Sequence, residues 1–172
     1  MEKKFIILVL GSNGMLGHVL VKFFKNKTNH QIYTVSRSKE KNKYHHKLDL
    51  TNFYQLEILI NNLKPDFIIN CAGVLVKNSN ENIENAILIN AYLPHFISKS
   101  IHKNCKLIHI STDCVFDGVK GNYDEIDSVS PVDVYGRTKS LGEINNQNNV
   151  LTIRTSIIGF EISNHKTGLL EW

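Results

Sequence analysis

No two cysteines in this chain stand at zinc-ligand or redox spacing. Cys71, Cys105 and Cys114 form an odd set without a Cys-x-x-Cys pair, which argues against a disulfide framework and a zinc site. No metal is therefore expected. No apolar run approaches the ~18 residues of a membrane span. The opening Met1-Glu2-Lys3-Lys4, followed by Phe5 to Leu10, is too short for a signal sequence, and Gly11 interrupts it without a small-residue cleavage site. A cytoplasmic protein without membrane contact is the expectation. Aromatic and basic residues do not interleave as they would along a nucleic-acid groove, so no nucleic-acid partner is expected either. The net charge is only +4. Lysines crowd the first third of the chain, which reads as a solvated face with a secondary attraction for phosphate-rich ligands. His45-His46 lies in that polar stretch and reads as a solvated loop.

What is present suits one domain. At 172 residues the chain can bury about 70% of the surface its unfolded form exposes. Phe5 to Leu10 is a continuous apolar run of strand length, as in a parallel strand covered on both faces. Gly11-Ser12-Asn13-Gly14-Met15-Leu16-Gly17 follows at once, and then a helix with apolar spacing at Leu16, Val19, Leu20, Phe23 and Phe24. Strand, glycine turn and helix are what a dinucleotide site needs: glycine lets backbone approach a pyrophosphate, and the helix start offers free N–H groups. The spacing is Gly-x-x-Gly-x-x-Gly, and a tight turn without ligand is the competing reading.

Further strands are expected at Gln31–Ser36, Lys47–Leu50, Phe67–Asn70, Lys106–Ile110 and Val150–Arg154. The second ends in Ser36-Arg37-Ser38-Lys39, where an acidic residue would read the ribose diol of NAD. A guanidinium and hydroxyls suit the 2′-phosphate of NADP instead. Asp49 could accept from an adenine amino group, and Thr51 could cap the helix Asn52–Leu63. Cys71-Ala72-Gly73 is a small-residue turn that lets a cofactor pass close, with the Cys71 thiol itself a buried apolar filler. Asn78 to Asn85 reads as a mobile loop. The helical stretch from Ile83 to about Lys103 contains Pro94 and should kink or divide there. Residues 117–133 read as a loop over the site, and Asp133 as the cap of the helix that follows. Alternating strands and helices imply an α/β, Rossmann-type doubly wound parallel sheet of six or more strands. Ligands then sit beyond the carboxyl ends of those strands.

Two segments at those ends carry chemistry. Ile108-His109-Ile110 reads as a buried strand running into Ser111-Thr112-Asp113. Val134-Tyr135-Gly136-Arg137-Thr138-Lys139 reads as a helix start, with Tyr135 and Lys139 one turn apart on one face. A phenol has a pKa near 10, and bringing it down about three units takes roughly 4 kcal/mol of preferential phenolate stabilisation. The Lys139 charge should supply part of that. Thr112 could then hold a substrate carbonyl while Tyr135 protonates its oxygen. Asn90 is either a surface polar residue or a buried one that positions a water.

Taken together, the quoted turns, Tyr123-Asp124-Glu125, Pro131, Gly142-Glu143 and Arg154-Thr155-Ser156 make the chain resemble the extended short-chain dehydrogenase/reductases. Within them it is most similar to the dTDP-4-dehydrorhamnose reductase (RmlD-like) group, from Phe5 to about Gly159. The resemblance implies Thr112, Tyr135 and Lys139 as catalytic residues, with Asn90 as a fourth. It implies NADP(H) held by Gly11, Ser12, Asn13, Gly14, Met15, Leu16, Ser36, Arg37, Asp49, Leu50, Cys71, Ala72, Gly73, Tyr135, Lys139, Thr155 and Ile157. Substrate contacts fall to Asp113, Cys114 and Val115, and the substrate is a nucleotide-activated 4-keto-6-deoxy sugar bound for surface polysaccharide. A homodimer is left open. Cys114 departs from the aromatic usual in the group. Family members also continue with a smaller substrate-binding lobe. Residues 1–160 are therefore expected to be the NADP-binding domain and 161–172, with an incipient helix at Gly168–Trp172, the start of a lobe largely missing. A non-catalytic NADP-binding subunit, like the regulatory β subunit of methionine adenosyltransferase, and a sugar-nucleotide epimerase or dehydratase are the alternatives.

Overall fold

The computed structural model describes residues 3–160; the expected helix start at Gly168–Trp172 lies outside them. Six strands form one parallel sheet in the order β3-β2-β1-β4-β5-β6. They are β1 (Ile6–Leu10), β2 (Gln31–Ser36), β3 (His45–Lys47), β4 (Phe67–Asn70), β5 (Lys106–Ser111) and β6 (Val150–Arg154). The order reverses between β1 and β4, which opens a crevice beyond their carboxyl ends.

β1 is apolar throughout because both its faces are covered. Leu8 and Leu10 join Leu56 and Ile60 of α2 (Phe53–Leu63) and Leu93 and Ile97 of α5 (Leu93–Ser100). Ile7 and Val9 meet Ile32, Ile69 and the Leu20, Val21 and Phe24 side chains of α1 (Met15–Lys27). Each large aliphatic side chain so buried is worth about 1.5–3 kcal/mol. Helices therefore lie on both faces, as a doubly wound sheet requires.

The structure corrects four readings. His45 and His46 are on β3, not in a solvated loop. The His45 ring is bonded to the Thr34 hydroxyl (2.9 Å) and the Ser38 carbonyl (2.9 Å). The expected strand Lys47–Leu50 ends at Lys47, and Leu48 and Leu50 are core residues in the connection that follows. Thr51 does not cap α2: its N–H and hydroxyl bind the Asp49 carboxylate (3.0 and 2.8 Å), and Asn52 caps the helix by accepting from the Gln55 N–H (3.1 Å). The polar stretch at Asn78–Asn85 is helical, comprising α3 (Val76–Glu81) and α4 (Ile83–Ala86), with Asn82 capping α4 through the Asn85 N–H.

Pro94 acts differently from a simple kink. It lacks the N–H that would bond the Asn90 carbonyl in α geometry, and its ring crowds that carbonyl. The chain widens instead: residues Ile87–Tyr92 form a π-helical segment in which the Leu93 N–H bonds the Leu88 carbonyl five residues back. α6 (Val134–Leu141) starts as expected, with the Asp133 carboxylate accepting from the Gly136 N–H at 2.7 Å.

Candidate active site

The glycine turn and the β4 turn meet at the switch point. Gly11 has φ +72, and a Cβ there would lie 2.8 Å from the Ala72 nitrogen, so a side chain is excluded by backbone conformation and space alike. The Gly11 and Ser12 N–H groups and the Ser12 hydroxyl all donate to the Val35 carbonyl (3.0, 3.0 and 3.1 Å), which ties the turn to β2. α1 then begins at Met15 with Gly14 as its cap, no side-chain capping bond and no acidic residue in its first turn. Its free N–H groups and positive dipole end suit a pyrophosphate.

At the ends of β2 and β3 lies a hollow of about 290 Å³ lined by Arg37, Lys47, Leu48, Asp49, Asn52 and Gln55. Arg37 and Lys47 are exposed cations there. The Asp49 carboxyl is held below the usual range by the Thr51 N–H and hydroxyl, with a smaller contribution from Arg37. Ser36 turns inward instead, its hydroxyl donating to the Ser38 carbonyl (3.3 Å). Leu50 is a core residue.

Past β4, the Ala72 N–H donates to the Asn70 side chain (3.2 Å), while the Asn70 amide donates to Nδ1 of His109 on β5 (3.2 Å). That bond makes Nδ1 an acceptor and leaves the proton on Nε2. Burial, and then the Lys139 and His95 charges, drive the His109 pKa well down, so the ring is neutral. Burial pushes the Cys71 thiol up to about 12, which fits an apolar filler.

β5 delivers Thr112, which is 4% exposed. Its hydroxyl donates to the Asp113 carboxylate (3.1 Å) and accepts the Cys114 N–H (3.2 Å). The turn exposes Asp113 and Cys114 and buries Val115. The Asp113 carboxyl is held down chiefly by the Ser156 hydroxyl, then by Thr112. Thr155 spends its hydroxyl on the Ser156 carbonyl (3.1 Å), and Ile157 is exposed nearby in sequence.

α6 is seated by two glycines. A Cβ at Gly136 would lie 2.2 Å from the Cys114 carbonyl oxygen, and one at Gly142 would lie 2.0 Å from that of Asn90. Helix backbone thus rests directly on both neighbouring segments, which brings Tyr135 beside Thr112 and buries Lys139. The Lys139 ammonium donates to the Ile110 carbonyl at 2.6 Å. Burial lowers its pKa to about 8, against the opposing charge of Glu143. Burial raises the Tyr135 phenol, and Cys114, Asp113 and Asp133 add to the rise, while Thr112 opposes it. The sequence expectation ran the other way. The ammonium is engaged by a backbone carbonyl, and the carboxylates acting on the phenol are those of Asp113 and Asp133.

Asn90 is buried but already occupied. Its side chain accepts the Val74 N–H (2.8 Å) and donates to the Val74 carbonyl (3.0 Å) and the Thr138 hydroxyl (3.1 Å). It clamps Val74, just past the β4 turn, to α6 through Thr138. Sequence reasoning gave no role to Glu143, Arg154, Ser111, Ser156 or Lys47. Ser111, Gly142-Glu143 and Arg154-Thr155-Ser156 carried the resemblance without a role attached, and the four-residue spacing of Tyr135, Lys139 and Glu143 is a further signal for Glu143.

A glycine turn at the β1–β4 switch point, a hydroxyl at the end of β5 and a Tyr-x-x-x-Lys helix define an extended short-chain dehydrogenase/reductase. The RmlD substrate binding domain family matches residues 5–167, and the chain belongs to that family. A dTDP-4-dehydrorhamnose reductase of Aggregatibacter actinomycetemcomitans is 31% identical over 140 residues, 80% of this chain and 45% of the relative. The methionine adenosyltransferase 2 subunit beta of Xenopus tropicalis is 30% identical over 157 residues, 88% of this chain and 46% of the relative. The crystal structure of a Bacillus anthracis dTDP-4-dehydrorhamnose reductase in complex with NADP superposes with a TM-score of 0.74 at 28% identity, covering 90% of this chain and 54% of that one. The chain spans about half the length of the curated relatives it matches. Among the described residues no helix is long and apolar enough to cross a membrane.

Proposed function

We propose that this chain is the cofactor-binding, catalytic half of an NADPH-dependent reductase of a nucleotide-activated 4-keto-6-deoxy sugar. The observation that supports this reading is the seating of α6, with the Thr112 hydroxyl acting on the Tyr135 phenol and Lys139 buried near Cys71 of the β4 turn. The free N–H groups at Met15–Leu16 and the Gly11–Gly14 backbone suit the pyrophosphate, with Asn13 in the same turn. Arg37, with Asp49 nearby, suits the adenosine 2′-phosphate end, and Ala72-Gly73 the passage between. Bound NADPH would supply hydride to the keto carbon.

The residues of the chain do the rest. Tyr135 gives its proton to the keto oxygen. Thr112 hydrogen-bonds that oxygen once its hydroxyl leaves Asp113. Lys139, buried and cationic at neutral pH, returns a proton to the phenolate left behind once its ammonium leaves the Ile110 carbonyl. Asp113 and Cys114 face the sugar. The relative named as a methionine adenosyltransferase subunit supports a second reading, a binding subunit without turnover.

One measurement tests the cofactor and a second separates the two readings. NADPH should raise the unfolding temperature more than NADH, and Arg37→Ala should erase the preference; equal shifts with both cofactors would sink the NADP assignment. Mixing the chain with NADPH and a panel of 4-keto sugar nucleotides should oxidise the cofactor. Binding without oxidation favours the subunit. A cytoplasmic setting is part of the proposal, read by cell fractionation, and light scattering decides whether the chain forms a homodimer.

A further inference from the structure

Gly142-Glu143 and Arg154 stand out in the sequence, yet the chemistry above uses neither charged group. Glu143 follows Lys139 by four residues, just past the end of α6, and its side chain is 4% exposed. Its Oε1 accepts from the Ser111 hydroxyl (2.7 Å) and from Arg154 Nε (2.9 Å), and its Oε2 accepts from Arg154 Nη2 (2.8 Å). One buried carboxylate thus joins α6, the end of β5 next to Thr112, and β6.

We propose that Glu143 is a positioning residue, which through Ser111 and Arg154 fixes the strand end that carries Thr112 and holds the buried Lys139 as an ammonium. A buried carboxylate with three charge-assisted bonds keeps its geometry, and its negative charge, which acts on Lys139, favours the protonated form of a desolvated amine. Lys139 is faced by few other charges. Cys71 comes from the turn after β4 and His109 from β5, and both are neutral. Tyr135 lies one turn earlier on α6. Lys77 and Glu81 of α3 and Glu84 of α4 are exposed on the helices packed against α6, and Asp113 lies exposed in the turn after β5. Arg154 tempers the Glu143 charge and also supports the loop over the site: its guanidinium lies 5.0 Å from the Phe116 ring, which stacks on Tyr123 at 4.2 Å.

An ion pair that merely seals the sheet edge predicts something different. Removing either partner would then loosen the fold, and Lys139 would follow the loosening in one direction. A charge-setting role predicts opposite directions. Glu143→Gln removes the favourable charge, so the Lys139 titration midpoint should fall by about one unit. Arg154→Met leaves that charge unneutralised, so the midpoint should rise. Carbon-13 NMR of the chain with labelled lysine ε-carbons reads both, with the Lys139 signal assigned by its loss in Lys139→Arg. Glu143→Asp, which keeps the charge, should restore most of the original midpoint. Midpoints that stay put, or move the same way in both variants, overturn the proposal. Where Glu143→Gln does not fold, Arg154→Met decides alone: a rise supports the role and an unchanged midpoint refutes it. The inference rests on Lys139 being the cation of the proposed site, but its readout needs neither cofactor nor substrate. Failure of NADPH to bind the unaltered chain would count against the reductase and leave the titration result standing.

Discussion

Lys139 shows most directly what this site costs the fold. Its pKa falls from 10.5 to about 8 because its charge is buried. A lysine with a depressed folded pKa is a stability burden while it is charged. Below pH 8 both folded and unfolded forms hold the proton, and the full penalty applies. Between about pH 8 and 10.5 the folded form loses its proton first, so this residue's contribution to stability rises with pH. Lys139→Met should therefore stabilise the protein at pH 7 by about 2 kcal/mol, allowing for the lost bond to the Ile110 carbonyl. That gain should vanish near pH 10.5. Urea unfolding of both proteins at the two pH values checks it; a gain that persists at the high pH contradicts the assignment. On the proposed reductase reading, Tyr135→Phe should lose at least about a hundredfold in kcat, the usual worth of a positioned general acid. Asn90 is of another kind. Its amide meets both polar groups of Val74, so Asn90→Ala leaves a buried N–H unpaired and should cost about 1–3 kcal/mol. That loss should appear in unfolding whether or not cofactor is present.

α6 is the element on which the site depends. Its start was legible in the sequence, because an aspartate before an apolar-periodic stretch is a cap signal, and Asp133 does bind the Gly136 N–H. Asp133→Ala should cost about 1 kcal/mol. Its seating was not legible. Gly136 and Gly142 read as ordinary glycines until the carbonyls of Cys114 and Asn90 are found where their β-carbons would be. Gly142→Ala should accordingly cost more than the cap variant and lower NADPH affinity as α6 shifts, measured by calorimetry; an alanine tolerated without loss would mean that the contact relaxes freely. β2, β4 and β6 have the ends that their runs of apolar and β-branched residues give them, because such runs stop where turn residues begin. β3 and α3 escaped that logic. β3 holds its register through polar contacts between His45 and Thr34 and Ser38. α3 is short and mostly exposed, so its residues carry no helical apolar stripe.

Over the whole molecule, the crevice exists because strand order reverses between β1 and β4. On the proposed reading NADPH binds in that crevice to the folded form alone, so at a hundred times its Kd it should add about 2.7 kcal/mol to unfolding. Gly11→Ala, at the contact between the two turns, should abolish that gain. The sequence by itself determined the α/β alternation, the glycine turn and the Tyr-x-x-x-Lys spacing, since these follow from local periodicity and from chemistry within a few residues. Only the tertiary structure decided the direction of the Tyr135 pKa, the occupation of Asn90 and the joining of Glu143 to Arg154 and Ser111. Burial and charge at those points are supplied by strands and helices distant in the chain. No local pattern encodes the dielectric or the partners that folding brings to a side chain.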